Sequence, residues 1–186
     1  RYCVPVHLYG NPLNPAKLHD LKRRYSLSIV EDCSQAVGAT FSGDPVGSAS
    51  SIAAYSFYPT KNLGALGDAG AITTDDETLA CRCRALRDYG QSAKYRHDRL
   101  GMNSRLDEIH AAILNDAVLP RLDEWLSRRR EIAQRYIGAI SHPEVKTLAL
   151  PAEAWAAWHL FPVRVSGQKR EQFLCYLGEE GIRASV

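Results

Sequence analysis

Residues 27–32 read LSIVED, a short and largely apolar run that closes on two acids. A run of this length and character predicts a buried strand. Upstream of it, Asn14 followed by Pro15 supplies an N-cap and a first-turn proline for a helix carrying Leu18, Leu21 and Tyr25 on one face. Upstream again, residues 2–9 (YCVPVHLY) read as a strand. Strand, helix and strand in this order favour a mostly parallel sheet covered by helices, whose ligands sit at the carboxyl ends of the strands. Asp32 is the residue this places at such an end. A carboxylate there needs a cationic or hydrogen-bonding counterpart, unless EDCSQA opens a short helix and Asp32 is only a cap.

Downstream, residues 39–47 carry turn residues between short extended pieces, Ile52 to Phe57 reads as a strand, and Gly70 to Thr74 as another. The connection between the last two is SFYPTKNLGALGDAGA (Ser56 to Ala71), with one lysine, Lys61, ahead of glycines at 64, 67 and 70. A phosphate-binding loop needs its glycines before the lysine, and no G-x-G-x-x-G follows the first strand. Two jobs remain for Lys61: an exposed loop cation, or an amine that forms a Schiff base with a carbonyl cofactor. Pyridoxal phosphate also requires an anion beside its ring nitrogen, and Asp32 is placed to be that partner.

The second half is mainly helical. Asp75 or Asp76 caps a helix with Leu79, Cys83 and Leu86 on one face, and Ser104 to Asp107 is a capping-box pattern opening a helix that buries Ile109, Ala112 and Ile113. A long amphipathic helix runs from about Pro120 to Ile140, with Arg128 to Arg130 read as a solvated face beside Asp123 and Glu131. Trp155 to Val165 then resumes strand character and Gln168 to Glu180 helix. With 186 residues, 45% hydrophobic and a net charge of +2, the chain is globular and has no electrostatic footprint for nucleic acid. No apolar run reaches the length of a membrane span, so a soluble, cytoplasmic protein is expected. Five cysteines in regular elements fit reduced, mostly buried thiols; Cys81 and Cys83 would point about 200° apart on a helix and make a poor metal pair. His97 and His110 lack metal spacing, and GSASS around Ser48 is no nucleophile elbow, so neither a metal site nor a hydrolase is expected.

The blocks VHLYG (Val6 to Gly10), EDCSQAVGA (Glu31 to Ala39), SFYPTKNLGALGDAGA and RDYGQSAKYRHDRLGMNSRLDEIHAAIL (Arg87 to Leu114) resemble the successive motifs of the DegT/DnrJ/StrS family of pyridoxal-phosphate-dependent nucleotide-sugar aminotransferases. The resemblance implies the fold type I of such enzymes, with residues 1–144 as the second half of the cofactor-binding domain and 145–186 as the start of a smaller α/β domain. It implies Lys61 as the Schiff-base lysine, Asp32 on the ring nitrogen, Gln35 near the phenolic oxygen and Ser56 on the phosphate. Asn103 would reach the phosphate of a partner subunit's cofactor across a homodimer. The substrates implied are an amino-acid donor, usually glutamate, and a nucleotide-linked keto sugar; His7, Tyr95 and His97 are candidates to touch them, His7 being equally a core histidine.

Some positions depart from that pattern: Ala69 where glycine is expected, His110 where glutamine is common, and no acid in SASSIAAYSF. Lysine rather than histidine at 61 argues against the family's dehydratase branch. Both ends of the chain look cut, which leaves a rival reading: an inactive, truncated copy that only dimerises or regulates.

Overall fold

A computed structural model describes residues 1–186. The first part contains β1 (Tyr2–Cys3), α1 (Pro15–Tyr25), β2 (Ser28–Asp32), β3 (Thr40–Phe41), β4 (Asp44–Pro45), β5 (Ile52–Ser56) and β6 (Gly70–Thr73). There follow α2 (Glu77–Arg87), β7 (Gln91–Ala93), β8 (Arg96–His97), α3 (Glu108–Ile113), α4 (Leu122–Ala139), β9 (Lys146–Thr147), β10 (Ala154–Trp155), β11 (Val163–Arg164) and α5 (Arg170–Glu179). The main sheet has the order β1-β2-β5-β6; β1, β2 and β5 are parallel, and β6 returns antiparallel to β5. The expected α/β class with a largely parallel sheet is what the chain forms.

Local chemistry explains the elements that were legible. The Asn14 side chain accepts from Ala16 N and Lys17 N, capping α1, and the Asp76 side chain accepts from Thr78 N and Leu79 N, capping α2. Only Leu18 of α1 is buried, packed on Ile29 and Ala49; Leu21 and Tyr25 are 40% and 48% exposed, since the edge strand β1 offers just two residues beneath them. The main core joins Cys33, Ala36 and Ala53 to the lysine loop (Leu63, Ala65) and to Leu122 and Leu126 of α4.

Several expectations need correction. Residues 2–9 are not one strand: pairing stops at Cys3, Pro5 has no N–H to give, a single bridge joins Val6 to Asp32, and Tyr9 (φ 61) and Gly10 (φ 89) turn the chain away. Trp155 to Val165 is not one strand either, because β10 pairs with β3, β11 pairs with β9, and of the intervening residues Ala157 is buried in the main core while Ala156 and Trp158 are buried with Ala133 and Ile137 of α4. The helix expected after Ser104 begins at Glu108, because Ser104 N donates to Arg87 O and holds that stretch extended; it leaves Ile109 73% exposed and Leu114 is the buried residue instead. Arg128 is a surface residue paired with Glu131 at 2.8 Å, but Arg129 and Arg130 are half-buried and donate to backbone carbonyls. The five cysteines are free, yet only Cys33 is buried while Cys81 and Cys175 are exposed. No helix is long and apolar enough to cross a membrane.

His7 and Glu31 form a pair, each 1% exposed, with Nε2 2.9 Å from Oε2. Leu13 N donates to His7 Nδ1 at 3.0 Å, so the ring proton sits on Nε2 and is donated to Glu31, which also accepts from Gly47 N at 3.3 Å. Both ring nitrogens are therefore used inside the core, and the substrate contact entertained for His7 gives way to the core-histidine alternative. Burial pushes the Glu31 carboxyl up, but the hydrogen bonds led by His7 outweigh it and hold the group below its ordinary 4.5. A carboxyl with a depressed folded value contributes stability above its unfolded value and loses that contribution as pH falls through the folded one. Replacing Glu31 with Ala leaves two buried donors unpaired and should cost about 2–3 kcal/mol in urea unfolding at pH 7. In Glu31→Gln the difference from wild type should shrink as pH falls below about 4.5, where the unfolded chain takes up the proton first and the folded Glu31 only at lower pH; an unchanged difference down to pH 3 would contradict the assignment.

Candidate active site

Period-two alternation sends Ile29 and Glu31 to one face of β2 and leaves Asp32 on the other, at the strand's carboxyl end. Asp32 Oδ1 accepts from Ser34 N at 3.0 Å and from Ser34 Oγ at 2.5 Å, while no protein donor reaches its second oxygen. The cap and the free carboxylate foreseen as alternatives thus coexist, one on each oxygen. Gln35, in the turn that follows, accepts from Tyr9 N through Oε1 at 2.6 Å, which leaves its amide N–H groups without a protein acceptor. Ser56 ends β5, beside β2 in the sheet; its oxygen accepts from Tyr58 N at 3.3 Å and its hydroxyl proton has no protein acceptor.

The lysine loop leaves β5 here. Lys61 N donates to Tyr58 O at 2.8 Å, and Ala65 N to Phe57 O at 2.7 Å, folding the loop back on its own start. Its glycines are needed for close approach: a Cβ on Gly64 would lie 2.6 Å from Pro59 O, and one on Gly70 2.7 Å from Tyr55 O. Ala69 has no positive φ, so the alanine there is unstrained. The ring of His110 lies against the loop at Gly67. The Lys61 side chain is half-buried and makes no hydrogen bond or ion pair to protein, and the adjacent Asn62 is buried with Nδ2 2.8 Å from Ala157 O. Lys61, Trp125, Arg128 and Arg129 line an open groove between this loop and α4.

One site residue escaped the sequence reading. His159 is half-buried beside Gly10, and its Nδ1 is buried without a partner. Burial pulls its imidazole below the ordinary value, and the positive charges of Lys61 and Arg129 act in the same direction. It lay inside an apolar run read as a strand; a polar residue interrupting that run was the available signal. Cys33, wholly buried next to Asp32, is pushed up to about 12 by burial and then by the Glu31 charge, so it is no nucleophile.

Asn103, Tyr95 and His97 are not brought to this group. Asn103 is exposed, bridged to Asp88, and accepts from Arg105 Nε at 3.2 Å; Tyr95 is 82% exposed; His97 Nδ1 donates to Tyr89 O at 3.1 Å. They share a surface with exposed Leu100, Met102 and Ile109.

The carboxyl ends of the parallel strands thus carry a carboxylate, an amide and a hydroxyl, with a lysine in the loop that leaves β5. The description of the DegT/DnrJ/EryC1/StrS aminotransferase family matches residues 1–186, and the chain belongs to that family. It is 44% identical over 183 residues, 98% of this chain and 48% of the relative, to dTDP-3-amino-3,4,6-trideoxy-alpha-D-glucose transaminase of Streptomyces venezuelae. Among solved structures, DesV of S. venezuelae in complex with a ketimine intermediate superposes with a TM-score of 0.91 at 44% identity, over 98% of this chain and 49% of that one. Ntda of Bacillus subtilis with bound cofactor PMP superposes with a TM-score of 0.83 at 32% identity, over 97% and 41%. The chain spans about half the length of the curated relatives it matches.

Gly10 ties these parts together. A Cβ there would lie 2.9 Å from Gln35 O, Trp158 N and His159 N, and its φ is +89. Gly10→Ala should destabilise the chain by at least about 2 kcal/mol in urea unfolding, a steric clash added to a left-handed backbone. A variant as stable as wild type would show that this junction is loose.

Proposed function

We propose that this chain supplies the lysine-bearing part of a pyridoxal-phosphate-dependent aminotransferase, which moves an amino group from an amino acid, glutamate by family resemblance, to the keto group of a nucleotide-linked sugar. The observation that carries the reading is that Asp32, Gln35, Ser56 and Lys61 stand at one end of the sheet in a member of this family, each with one polar function that no protein group uses. Those unused functions fit the cofactor: a carboxylate oxygen for a protonated ring nitrogen, amide N–H groups for a phenolic oxygen, a hydroxyl for phosphate, and an amine for the carbonyl carbon. None of them favours the rival of a purely dimerising copy.

When bound, the cofactor's conjugated ring accepts the electron pair released as the donor's α C–H bond breaks. The protein's share is to hold and to move protons. Asp32 keeps the ring nitrogen protonated, and Ser34 fixes the direction in which its carboxylate points. The Lys61 amine would hold the carbonyl carbon of the cofactor and, as a free amine, would take the donor's α-proton as base and return it as acid. In this reading residues 1–144 belong to the cofactor-binding domain and 145–186 begin the smaller one, with residues 154–160 strapped back onto the first.

The same proposal makes the site a shared one in a homodimer, with Asn103 on the exposed surface of one subunit serving the cofactor phosphate of the other. Apolar Leu100 and Ile109, 98% and 73% exposed, suit a face that a second copy covers.

Two measurements test this in the full-length protein. Lys61→Ala should lose turnover by about a thousandfold or more, and borohydride should no longer attach pyridoxal phosphate covalently at this position; retention of both would refute the assignment. Inactive Lys61→Ala and Asn103→Ala subunits, mixed and refolded together, should regain up to about a quarter of wild-type activity, because half the dimers then hold one intact site of two. Failure of any mixture to recover activity would place Asn103 in its own subunit's site or outside both.

A further inference from the structure

Residues 156–159 have no regular secondary structure, yet the carbonyl of each is taken by a side chain from elsewhere. Arg130 Nε donates to Ala156 O at 3.1 Å, Asn62 Nδ2 to Ala157 O at 2.8 Å, and Arg129 Nη1 to Trp158 O at 3.1 Å and His159 O at 3.3 Å. Backbone bonds hold the other side: Ala157 N donates to Gly10 O at 2.8 Å and Leu160 N to Tyr9 O at 3.4 Å. Within this strap Trp158 sits at φ +47, a conformation that a bulky side chain adopts only when its surroundings impose it. The two bonds from Arg129 fall on that residue and the next.

Arg129 differs from its neighbours on α4. Arg128 is exposed and pairs with Glu131, and Arg130 stacks at 3.6 Å on Trp155, whereas Arg129 has no carboxylate partner and no aromatic one. Burial pulls its guanidinium below the ordinary value, though the group stays charged at any pH of interest. A half-buried cation whose only protein acceptors are two carbonyls is an expensive way to cover a loop. Placement of what the loop carries is the return, and the loop carries His159, whose Nδ1 is buried and unpartnered in reach of the Lys61 charge.

We propose that Arg129 is a positioning residue of the Lys61 site, which grips the Trp158–His159 turn by its two carbonyls and so keeps the His159 ring beside Lys61. The inference rests on the reading of Lys61 as the reacting amine. It makes α4, the lysine loop and the strap one unit: Asn62 ties the strap at Ala157 to the residue after Lys61, and Arg129, which lines the same groove as Lys61, holds Trp158 and His159 just beyond it. Loss of Arg129 therefore acts on Lys61 chemistry only through His159.

The test uses the full-length protein with 13C-labelled histidine, the His159 signal being assigned by its disappearance in His159→Gln. In Arg129→Gln the His159 resonance should move and titrate at higher pH than in wild type, since both a neighbouring cation and part of the burial are lost. Turnover should fall about tenfold with a much smaller change in donor KM, and Arg129→Gln/His159→Gln should be no slower than His159→Gln alone. An unmoved His159 signal, or losses that multiply in the double variant, would overturn the proposal. Arg129→Lys keeps the charge but not the reach of Nη1, which makes both carbonyl bonds; a loss like that of Arg129→Gln supports the grip, and wild-type rate and spectrum would reassign the effect to charge and overturn it. If Arg129→Gln does not fold, Arg129→Lys carries both readouts. Borohydride trapping of pyridoxal phosphate on Lys61 of the unaltered protein runs alongside: its failure would sink the reading of the site, while the histidine titration still decides the grip.

Discussion

The hydrogen bond from His7 to Glu31 fixes where the parallel sheet ends, and the site is built from that end. A buried carboxylate without donors would cost several kcal/mol, so Glu31 must face His7 Nε2 and Gly47 N wherever the strand lies. Strand alternation then leaves Asp32 facing the opposite way. Asp32 N donates to Pro5 O at 2.9 Å and its carbonyl accepts from His7 N at 3.0 Å, so the residues before and at His7 are clamped to the same strand end. The chain must leave at once through the left-handed Tyr9 and Gly10, and this turn places Tyr9 N on Gln35 and Gly10 O on Ala157 N. One buried contact thereby sets the direction of a carboxylate and the position of an amide, and gives the strap of residues 156–159 its backbone anchor.

What the sequence revealed follows from how far apart the interacting residues lie. The caps at Asn14 and Asp76, strand β2 and the loop around Lys61 depend on chemistry within a few residues, and they were legible. Asp32 and Lys61 drew attention through local pattern, Gln35 and Ser56 only through the family resemblance, and all four lie at or beyond the carboxyl ends of β2 and β5. Several of the failures involve remote partners. His7 meets a carboxylate 24 residues on, Asn62 a carbonyl 95 residues on, and Arg130 the Gly38 carbonyl 92 residues back. A largely apolar run with aromatic residues such as Trp155 to Val165 has strand propensity, but propensity yields when side chains elsewhere supply the donors that a neighbouring strand would have supplied. His159 was hidden by that exchange. Arg129 and Arg130 were hidden by their charged neighbours, which made a mixed run look uniformly solvated.

Burial is uneven in a way that bears on the shared-site proposal. With 24 of 186 residues buried, the core is concentrated around the ends of β2 and β5, the lysine loop and α4. The stretch from α2 through α3 has no buried residue in either helix and carries its largest apolar side chains outward. Exposed apolar area of that extent is uncommon on a free monomer surface. In the homodimer proposed above a second copy would cover it, and Asn103 lies in the same stretch.

The polar groups of the site divide into bonds that position and bonds that remain for chemistry. Asp32, Gln35 and Ser56 each give an acceptor to the backbone or to Ser34, and that bond fixes the direction in which the unused oxygen, amide or hydroxyl points. Preorganisation of this kind removes the need to reorient dipoles when a charged ligand arrives. Lys61 has no such bond on its side chain, and a flexible four-carbon stem needs none if its task is to swing between two attachments. Its reach is set instead by where its backbone is held: by Lys61 N on Tyr58 O before it and by Asn62 on the Ala157 carbonyl after it. A backbone held on both sides, with the side chain left unbonded between them, suits the proton carrier proposed for Lys61.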